Sequence, residues 1–363
     1  MKRIYFIVTN DLSFDQRMQR ICSSLVKAGY DVVLVGRKLK SSLPLRKKSY
    51  AQKRISCLFN NGFLFYAEFN LRLFFFLLRK RMDGICAIDL DTILPCLLVS
   101  KMKRIKRIYD GHEFFTEMKE VRTRPLVRSV WRLIEQISLP AFKYGYTVSD
   151  GLANAFESRY NRKFAVIRNL PVLIEWTAVE KRERFLLYQG AVNEGRGFEA
   201  LIPALRDVDT NLVICGDGNF MDRLKRLIRK YRVKEKVQMM GMLRPEHLFP
   251  IAQKATLGIG LAEKEGINQY FALPNKFLDY MHAGLPQLAM AYPEYKKIND
   301  VYKVAVLIDD LAPKSVAGAI NRLLNDEALL QELHENCMKA REVYCWQNEE
   351  KILIDYYHQI FQR

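Results

Sequence analysis

The 363-residue chain has no Cys-x-x-Cys pair, no apolar run long enough to cross a bilayer, and no short-period repeat or low-complexity tract. Each absence removes a class of protein. Its seven cysteines are scattered, several inside apolar runs, so they read as reduced core thiols of a cytoplasmic protein, not as a disulfide framework or a metal site. The most apolar stretch, Phe63 to Leu78, falls short of the ~18 uninterrupted residues that a transmembrane helix needs. Met1 to Thr9 holds two basic residues and a short apolar run before Asn10 and Asp11, which makes it a first strand and not a signal peptide. Gly216 and Gly218 invite a dinucleotide label. No third glycine follows at the spacing that fingerprint requires, so no nicotinamide cofactor is expected.

Acidic residues are scarce in one half only. Residues 1–172 carry 32 Lys plus Arg against 14 Asp plus Glu, whereas residues 173–363 carry 26 against 26, so the net charge of +18 resides in the first half. With a length that suggests roughly two domains, this split implies that the first domain faces an anionic partner. Phe74, Phe75, Phe76, Leu77 and Leu78 are flanked by Arg72 and by Arg79, Lys80 and Arg81, with Arg46, Lys47, Lys48, Lys53 and Arg54 upstream. The phenylalanines fit either a helix buried against a sheet or a monotopic contact with an anionic membrane, where each basic group contributes about 1 kcal/mol. For the upstream basic segment, membrane contact is the expectation. Nucleic acid is not, because the aromatic residues are not interleaved with the basic clusters as stacking platforms.

Apolar strands alternate with helical segments throughout, an α/β pattern. Strand candidates in the first half are Ile4 to Val8, Asp31 to Val35, Gly84 to Ala87, Arg107 to Tyr109, Gly145 to Val148 and Ala165 to Ile167. Helices are expected at Gln16 to Ala28, Leu90 to Met102 and Pro125 to Phe142. A second series has strands at Phe185 to Tyr188, Asn211 to Cys215, Val237 to Met239, Thr256 to Gly260 and Gln287 to Ala291, with helices near Phe198 to Leu205 and Phe220 to Tyr231. Two doubly wound domains follow, residues 1–170 and 171–340. The break lies near Arg168 to Thr177, where Asn169 and Pro171 interrupt the pattern. Residues 341–363 are expected to form a helix that returns to the first domain.

The segment Phe271 to Pro286 carries the most specific chemistry. Pro274 can open a helix at no hydrogen-bonding cost, which puts Asn275 and Lys276 in the first turn. Free amides there carry about half a positive charge and the lysine adds a full one, a combination that holds a pyrophosphate. Asp279, one turn on, can accept hydrogen bonds from ribose hydroxyls. Gly284 and Pro286 end the helix. An ordinary surface helix with one lysine and one aspartate is the competing reading. The alternation with a following strand favours the ligand site, because parallel sheets bind at the carboxyl ends of their strands.

Tyr188-Gln-Gly-Ala-Val-Asn-Glu-Gly-Arg-Gly197, Cys215-Gly-Asp-Gly218, Gly241-Met-Leu243, Leu273-Pro-Asn-Lys276 and Ala283-Gly-Leu-Pro286, together with Asn10-Asp-Leu-Ser-Phe-Asp-Gln-Arg17, Asp110-Gly-His-Glu113 and Val148-Ser-Asp150, form an ordered series. In order and spacing it resembles the retaining glycosyltransferases of family 4. The resemblance implies the GT-B fold, in which two Rossmann-like domains face each other across a cleft. It also implies transfer of a hexose from a nucleoside diphosphate sugar, UDP- or GDP-linked, with retained configuration and without a metal or other cofactor. The charge on the departing diphosphate must then be met by the protein. Arg196 and Lys276 are the expected cations, Arg196 on a loop whose backbone Gly195 and Gly197 leave free.

The resemblance also implies a donor-binding role for Gly190, Gly195, Gly216, Leu243, Asn275 and Asp279. His112 is implied as a sugar contact, and Asp11, Asp15, Arg17 and Glu113 as acceptor-side residues. For Asp11, Asp15 and Arg17 the competing reading is capping of the helix that follows by Ser13 or Asp15. The chain departs from the family at Phe271, where a first glutamate is usual and for which Glu263 or Glu265 are nearby substitutes, and at Ala191, where an arginine is common. The leading expectation is an enzyme on the inner face of the cytoplasmic membrane that extends a glycan or lipid-linked saccharide in envelope or capsule polysaccharide assembly. A nucleotide-sugar 2-epimerase of similar fold is the alternative, kept open by the missing glutamate.

Overall fold

The computed structural model describes residues 1–13, 15–177 and 182–362. Phe14 of the Asn10 to Arg17 motif lies outside the described residues. Two compact units emerge, one of Met1–Asn169, Gly266–Asn268 and Asn348–Arg363, the other of Leu170–Glu265 and Gln269–Gln347.

The first unit is a seven-stranded sheet of β1 (Arg3–Ile7), β2 (Asp31–Lys38), β3 (Ala51–Ser56), β4 (Gly84–Ile88), β5 (Lys106–Gly111), β6 (Tyr144–Thr147) and β7 (Ala165–Val166), in the order β3-β2-β1-β4-β5-β6-β7. Every pairing is parallel. Parallel strands covered by helices on both faces are apolar along their length, and all five residues of β4 are buried. From Asn348 on, the final helix Trp346–Phe361 belongs to this unit. Its Tyr356 phenol donates to the Gly145 carbonyl at 2.9 Å and accepts from the Gly145 amide at 2.8 Å.

The second unit repeats the plan with six parallel strands, β8 (Phe185–Gln189), β9 (Asn211–Cys215), β10 (Val237–Gly241), β11 (Leu257–Gly260), β12 (Gln287–Met290) and β13 (Ala305–Ile308), in the order β10-β9-β8-β11-β12-β13. In both sheets the winding reverses beside the first strand, between β1 and β4 and between β8 and β11. Such reversal points open a crevice at the carboxyl ends of the strands.

Two strands escaped the sequence reading. β3 spells Ala-Gln-Lys-Arg-Ile-Ser, with only Ile55 buried; it is a charged edge strand whose backbone alone pairs with β2. β13 is a four-residue apolar run too short to distinguish by period. The long helix expected from Pro125 to Phe142 stops at Ser138, and a short 3-10 turn, Leu139–Ala141, follows. Pro140 accounts for the stop, since it has no amide hydrogen to donate to the carbonyl one turn back and the α-helical ladder cannot continue through it. The basic segment is only partly free: Arg54 turns inward, 2.6 Å from Asp11.

One buried ion pair ties the first unit together. Arg17, on helix Gln16–Lys27, places Nη2 2.8 Å and Nε 3.2 Å from the two oxygens of Asp110 at the end of β5, while Nη1 donates to the Ile167 carbonyl beyond β7 at 3.3 Å. Removing one partner of such a pair leaves an uncompensated charge inside the protein. Arg17→Ala should therefore lower the unfolding free energy by about 3–5 kcal/mol, measured by urea denaturation, and a loss below 1 kcal/mol would contradict this account.

Candidate active site

The glycine-rich loop leaves β8 at Gln189 and is stitched to the end of β9 by bonds from the Gly190 amide to the Cys215 carbonyl, 3.0 Å, and from the Val192 amide to the Asp217 carbonyl, 2.9 Å. Gly190, Gly195 and Gly197 all have positive φ, at 112°, 77° and 73°, which residues with a Cβ rarely adopt. At Gly216 the requirement is close approach: a Cβ there would lie 1.9 Å from the Gly190 oxygen. Arg196 thus sits on a loop whose shape its neighbouring glycines set.

Helix Asn275–His282 begins one residue after Pro274, which occupies the N-cap position with extended backbone. Asn275 and Lys276 are its first two residues, and no side chain caps it. Lys276 runs along the glycine loop, so that a Cβ on Gly190 would lie 4.0 Å from its Cε. Its ammonium is buried 3.7 Å from the centre of the Tyr188 ring and has no hydrogen-bond partner among the described residues. Burial, and then the nearby positive charge of Arg196, hold Lys276 well below the ordinary lysine range. Arg196 itself makes no ion pair among the described residues. Two cations close enough for one to lower the pKa of the other, one of them buried and without an acceptor among the described residues, form an arrangement that a multiply charged anion would neutralise.

Asp279 lies on the same helix and accepts from Gln189 Nε2 at 3.0 Å, while the other amide atom, Gln189 Oε1, is buried without a partner. The Gln189 amide also donates to the Tyr280 phenol, which donates onward to the Leu187 carbonyl, both at 3.0 Å. The end of β8 is thereby locked to the helix that carries Lys276. Gln269 Nε2 donates to the Gly195 carbonyl at 2.7 Å, and the Glu263 amide donates to the same oxygen at 2.9 Å. The carboxylate of Glu263 also borders Gly195. Phe271, in place of the family's first glutamate, packs edge-on against Tyr270 at 5.0 Å.

The second unit therefore brings together Gly190, Gly195, Arg196, Gly216, Asn275, Lys276 and Asp279. Leu243 is half-buried against an apolar cluster that includes Leu187, Cys215 and Tyr280. Gln189, Gln269 and Tyr188 were missed by the sequence reading. The available signal was Gln189 as the last residue of a strand immediately before a glycine.

In the first unit, His112 and Glu113 follow β5 and meet Asp89 at the end of β4. His112 Nδ1 lies 3.1 Å from Asp89 Oδ2, an ion-pair approach without hydrogen-bond alignment, and the Glu113 amide donates to Asp89 Oδ1 at 3.4 Å. Asp89 has a φ of 54°, a strained conformation of the kind that clusters at functional sites. Burial, then the charges of Glu113, Asp91 and Asp110, hold the Asp89 carboxyl well above its usual range. Burial likewise pushes Asp91 up to about 7, even though the Thr9 hydroxyl donates to it at 2.5 Å.

The other acceptor-side residues are engaged in holding their own chain. Asp15 caps helix Gln16–Lys27, accepting from the Met18 amide at 3.0 Å. Asp11 accepts from the Ser13 amide at 2.9 Å, from Arg54 at 2.6 Å and from the Ser42 hydroxyl. Partial burial raises its carboxyl, but those hydrogen bonds and the Arg54 charge outweigh it and leave Asp11 below the usual range. Arg17, expected to face an acceptor, is instead buried against Asp110, where each charge offsets the desolvation of the other.

Comparison with known proteins follows this geometry. Residues 174–341 match the family model of the glycosyl transferases group 1. An uncharacterized glycosyltransferase of Methanocaldococcus jannaschii is 25% identical over 186 residues, 49% of this chain and 46% of that protein. A second from the same organism is 22% identical over 214 residues, 57% of this chain and 58% of that protein. The match thus spans about half the length of these relatives. Among solved structures, a sucrose-phosphate synthase from Thermosynechococcus elongatus superposes with a TM-score of 0.80 at 16% identity over 100% of both chains. Anabaena Alr3699/HepE in complex with UDP-glucose gives 0.77 at 12% identity over 99% of this chain and 100% of that one. These likenesses show the GT-B fold.

Two outcomes test the site. Gly216→Ala should cost roughly 1–3 kcal/mol of stability by overpacking against the Gly190 carbonyl, read from urea unfolding. Lys276→Met should do the opposite and raise the melting temperature of the ligand-free protein, because it removes a buried charge without a partner. The folded state depresses the Lys276 pKa, so the cost of charging it is fully present below that depressed value and fades as pH rises toward the ordinary lysine range. The advantage of Lys276→Met should therefore shrink with increasing pH, and an advantage that grows would refute the assignment.

Proposed function

Because residues 174–341 match the group 1 glycosyl transferases, we propose that this chain transfers a sugar from a nucleoside diphosphate sugar to a glycan or lipid-linked acceptor, with retained configuration. The observation that carries the proposal is the pair Lys276 and Arg196, two neighbouring cations at a glycine loop with the Lys276 ammonium buried and unpartnered. A diphosphate completes that arrangement. Its oxygens accept from Lys276, from Arg196 and from the uncapped first turn of helix Asn275–His282, and Asp279 takes the ribose hydroxyls with Gln189 Oε1 beside it.

As the glycosidic bond to the diphosphate breaks, negative charge grows on the departing oxygen. Lys276 and Arg196, fixed beforehand, stabilise that charge without reorganising. In this reading no metal is required, the donor is UDP- or GDP-linked, and the transferred sugar is a hexose. His112, backed by Asp89, contacts the sugar, and Glu113 faces the acceptor. The basic first half supports a peripheral position on an anionic membrane surface, as in the assembly of envelope or capsular polysaccharide, with no part for nucleic acid. No helix among the described residues is long and apolar enough to cross a membrane. The match to a transferase model does not favour the 2-epimerase reading.

Titration of the purified protein with UDP- and GDP-sugars is the direct test, and absence of binding to all of them would remove the proposal. Lys276→Ala and Arg196→Ala should each weaken donor binding by roughly tenfold to a hundredfold, as loss of a charged hydrogen bond worth about 1.5–3 kcal/mol implies. Binding should take up a proton at Lys276, so affinity should fall as pH rises from the depressed pKa of the free enzyme toward the higher one of the complex. Calorimetry in buffers of different ionisation enthalpy measures that uptake. Excess EDTA should leave the transfer rate within about twofold, and abolition of transfer would overturn the metal-free reading.

A further inference from the structure

Three helices of the first unit, Gly62–Leu78, Ile93–Lys103 and Pro125–Ser138, leave apolar side chains in water. Helix Gly62–Leu78 buries Phe65, Phe69, Leu73 and Leu77 but exposes Phe63, Leu64, Leu71 and Phe75; helix Pro125–Ser138 exposes Leu126, Val130, Leu133 and Ile137. Phe63 is 76% and Leu126 85% exposed, far beyond the scattered single apolar residues normal on a surface. Between these helices lies a cavity of about 510 Å³ whose walls include Phe63, Tyr66, Leu94, Leu126, Val130 and Trp131. Tyr66 and Trp131 meet edge to face at 5.2 Å.

The polar residues of the cavity lining differ in charge. Arg124 stands among them and makes no ion pair among the described residues. Near Arg124 in the chain, the Glu117 carboxylate is shared by Arg122, Arg128, Arg132 and Arg159 at 3.9, 3.0, 3.3 and 3.1 Å, and Glu135 is a second carboxyl in this cluster. Four guanidiniums against two carboxyls leave a cationic excess. The lining also includes Asn70 and Asp91, and the charge of Asp91 acts on the carboxyl of Asp89, the partner of His112. The apolar cavity thus carries one arginine in its wall and borders, through Asp91, the cluster that holds His112.

We propose that this groove binds the hydrocarbon chain of a phosphate-bearing lipid, its phosphate against Arg124, and that the lipid is the carrier on which the acceptor is built. The inference rests on the transferase reading above and specifies its acceptor. Charge complementarity selects this occupant: an anionic head suits Arg124, and an alkyl or isoprenoid chain suits the walls. A second copy of this strongly basic chain would bring like charge to the same arginine.

Farnesyl phosphate is a soluble probe, and Trp131 in the groove wall reports on it. Titration should shift Trp131 emission saturably, with the shift absent in Trp131→Phe. Ala67→Phe, which fills the groove, and Val130→Asp, which charges its wall, should each weaken binding at least tenfold while leaving nucleotide-sugar binding intact. Farnesol, without the phosphate, should bind at least tenfold more weakly. The proposal is overturned if farnesyl phosphate leaves Trp131 emission unchanged, if inorganic phosphate alone reproduces the shift, if both variants bind as the unaltered protein does, or if sedimentation reveals a dimer that Val130→Asp dissociates. Failure of the unaltered protein to bind any nucleotide sugar would instead sink the transferase reading, and the farnesyl phosphate titration would still decide the groove.

Discussion

The burial of the Lys276 ammonium is the constraint around which the second unit's candidate site is arranged. A buried ammonium over an aromatic ring, with no hydrogen-bond partner among the described residues, costs the fold desolvation that no oxygen offsets. Such an arrangement persists only where the surrounding structure enforces it. Here the enforcement is visible. The Tyr280 phenol clamps the end of β8 to the helix bearing Lys276, and glycines at 190, 195 and 197 let the loop turn where a side chain would forbid it. The cost of burying that charge is held by the fold itself.

The first unit shows a related economy. Thr9 after β1, Asp89 and Asp91 after β4, and His112 and Glu113 after β5 converge where the winding of its sheet reverses. Several carboxyls crowd there, and burial with the charges of neighbouring carboxylates raises both Asp89 and Asp91 above the usual carboxylate range. Arg17 neutralises Asp110 beneath them, so the charge that remains is concentrated toward the loop ends. The apolar groove adjoins this cluster through Asp91, so the unit carries a polar cluster and an apolar groove on adjoining elements.

Much of this was legible before any coordinates. The alternation of apolar runs marked most of the strands, and Pro274, Gly284 and the residues between them marked the helix with Lys276 in its first turn. The strand that failed, β3, failed for a physical reason: an edge strand needs only backbone pairing on one side, so its side chains carry no apolar period. Arg17 failed differently. Its residue type suggests a surface contact, and nothing local reveals that a carboxylate 93 positions away lies buried beside it.

Local chemistry, then, determined which segments become helices and strands, where glycine must stand, and that a cation opens the helix at Asn275, because those depend on backbone preferences over a few residues. Tertiary structure alone decided that Lys276 is deprived of a partner, that Gln189 turns its amide toward Asp279, that Arg17 is a strut, and that three amphipathic helices leave a groove between them. Those outcomes depend on burial and on distances between residues far apart in the chain, and desolvation has no signature in the sequence until packing creates it.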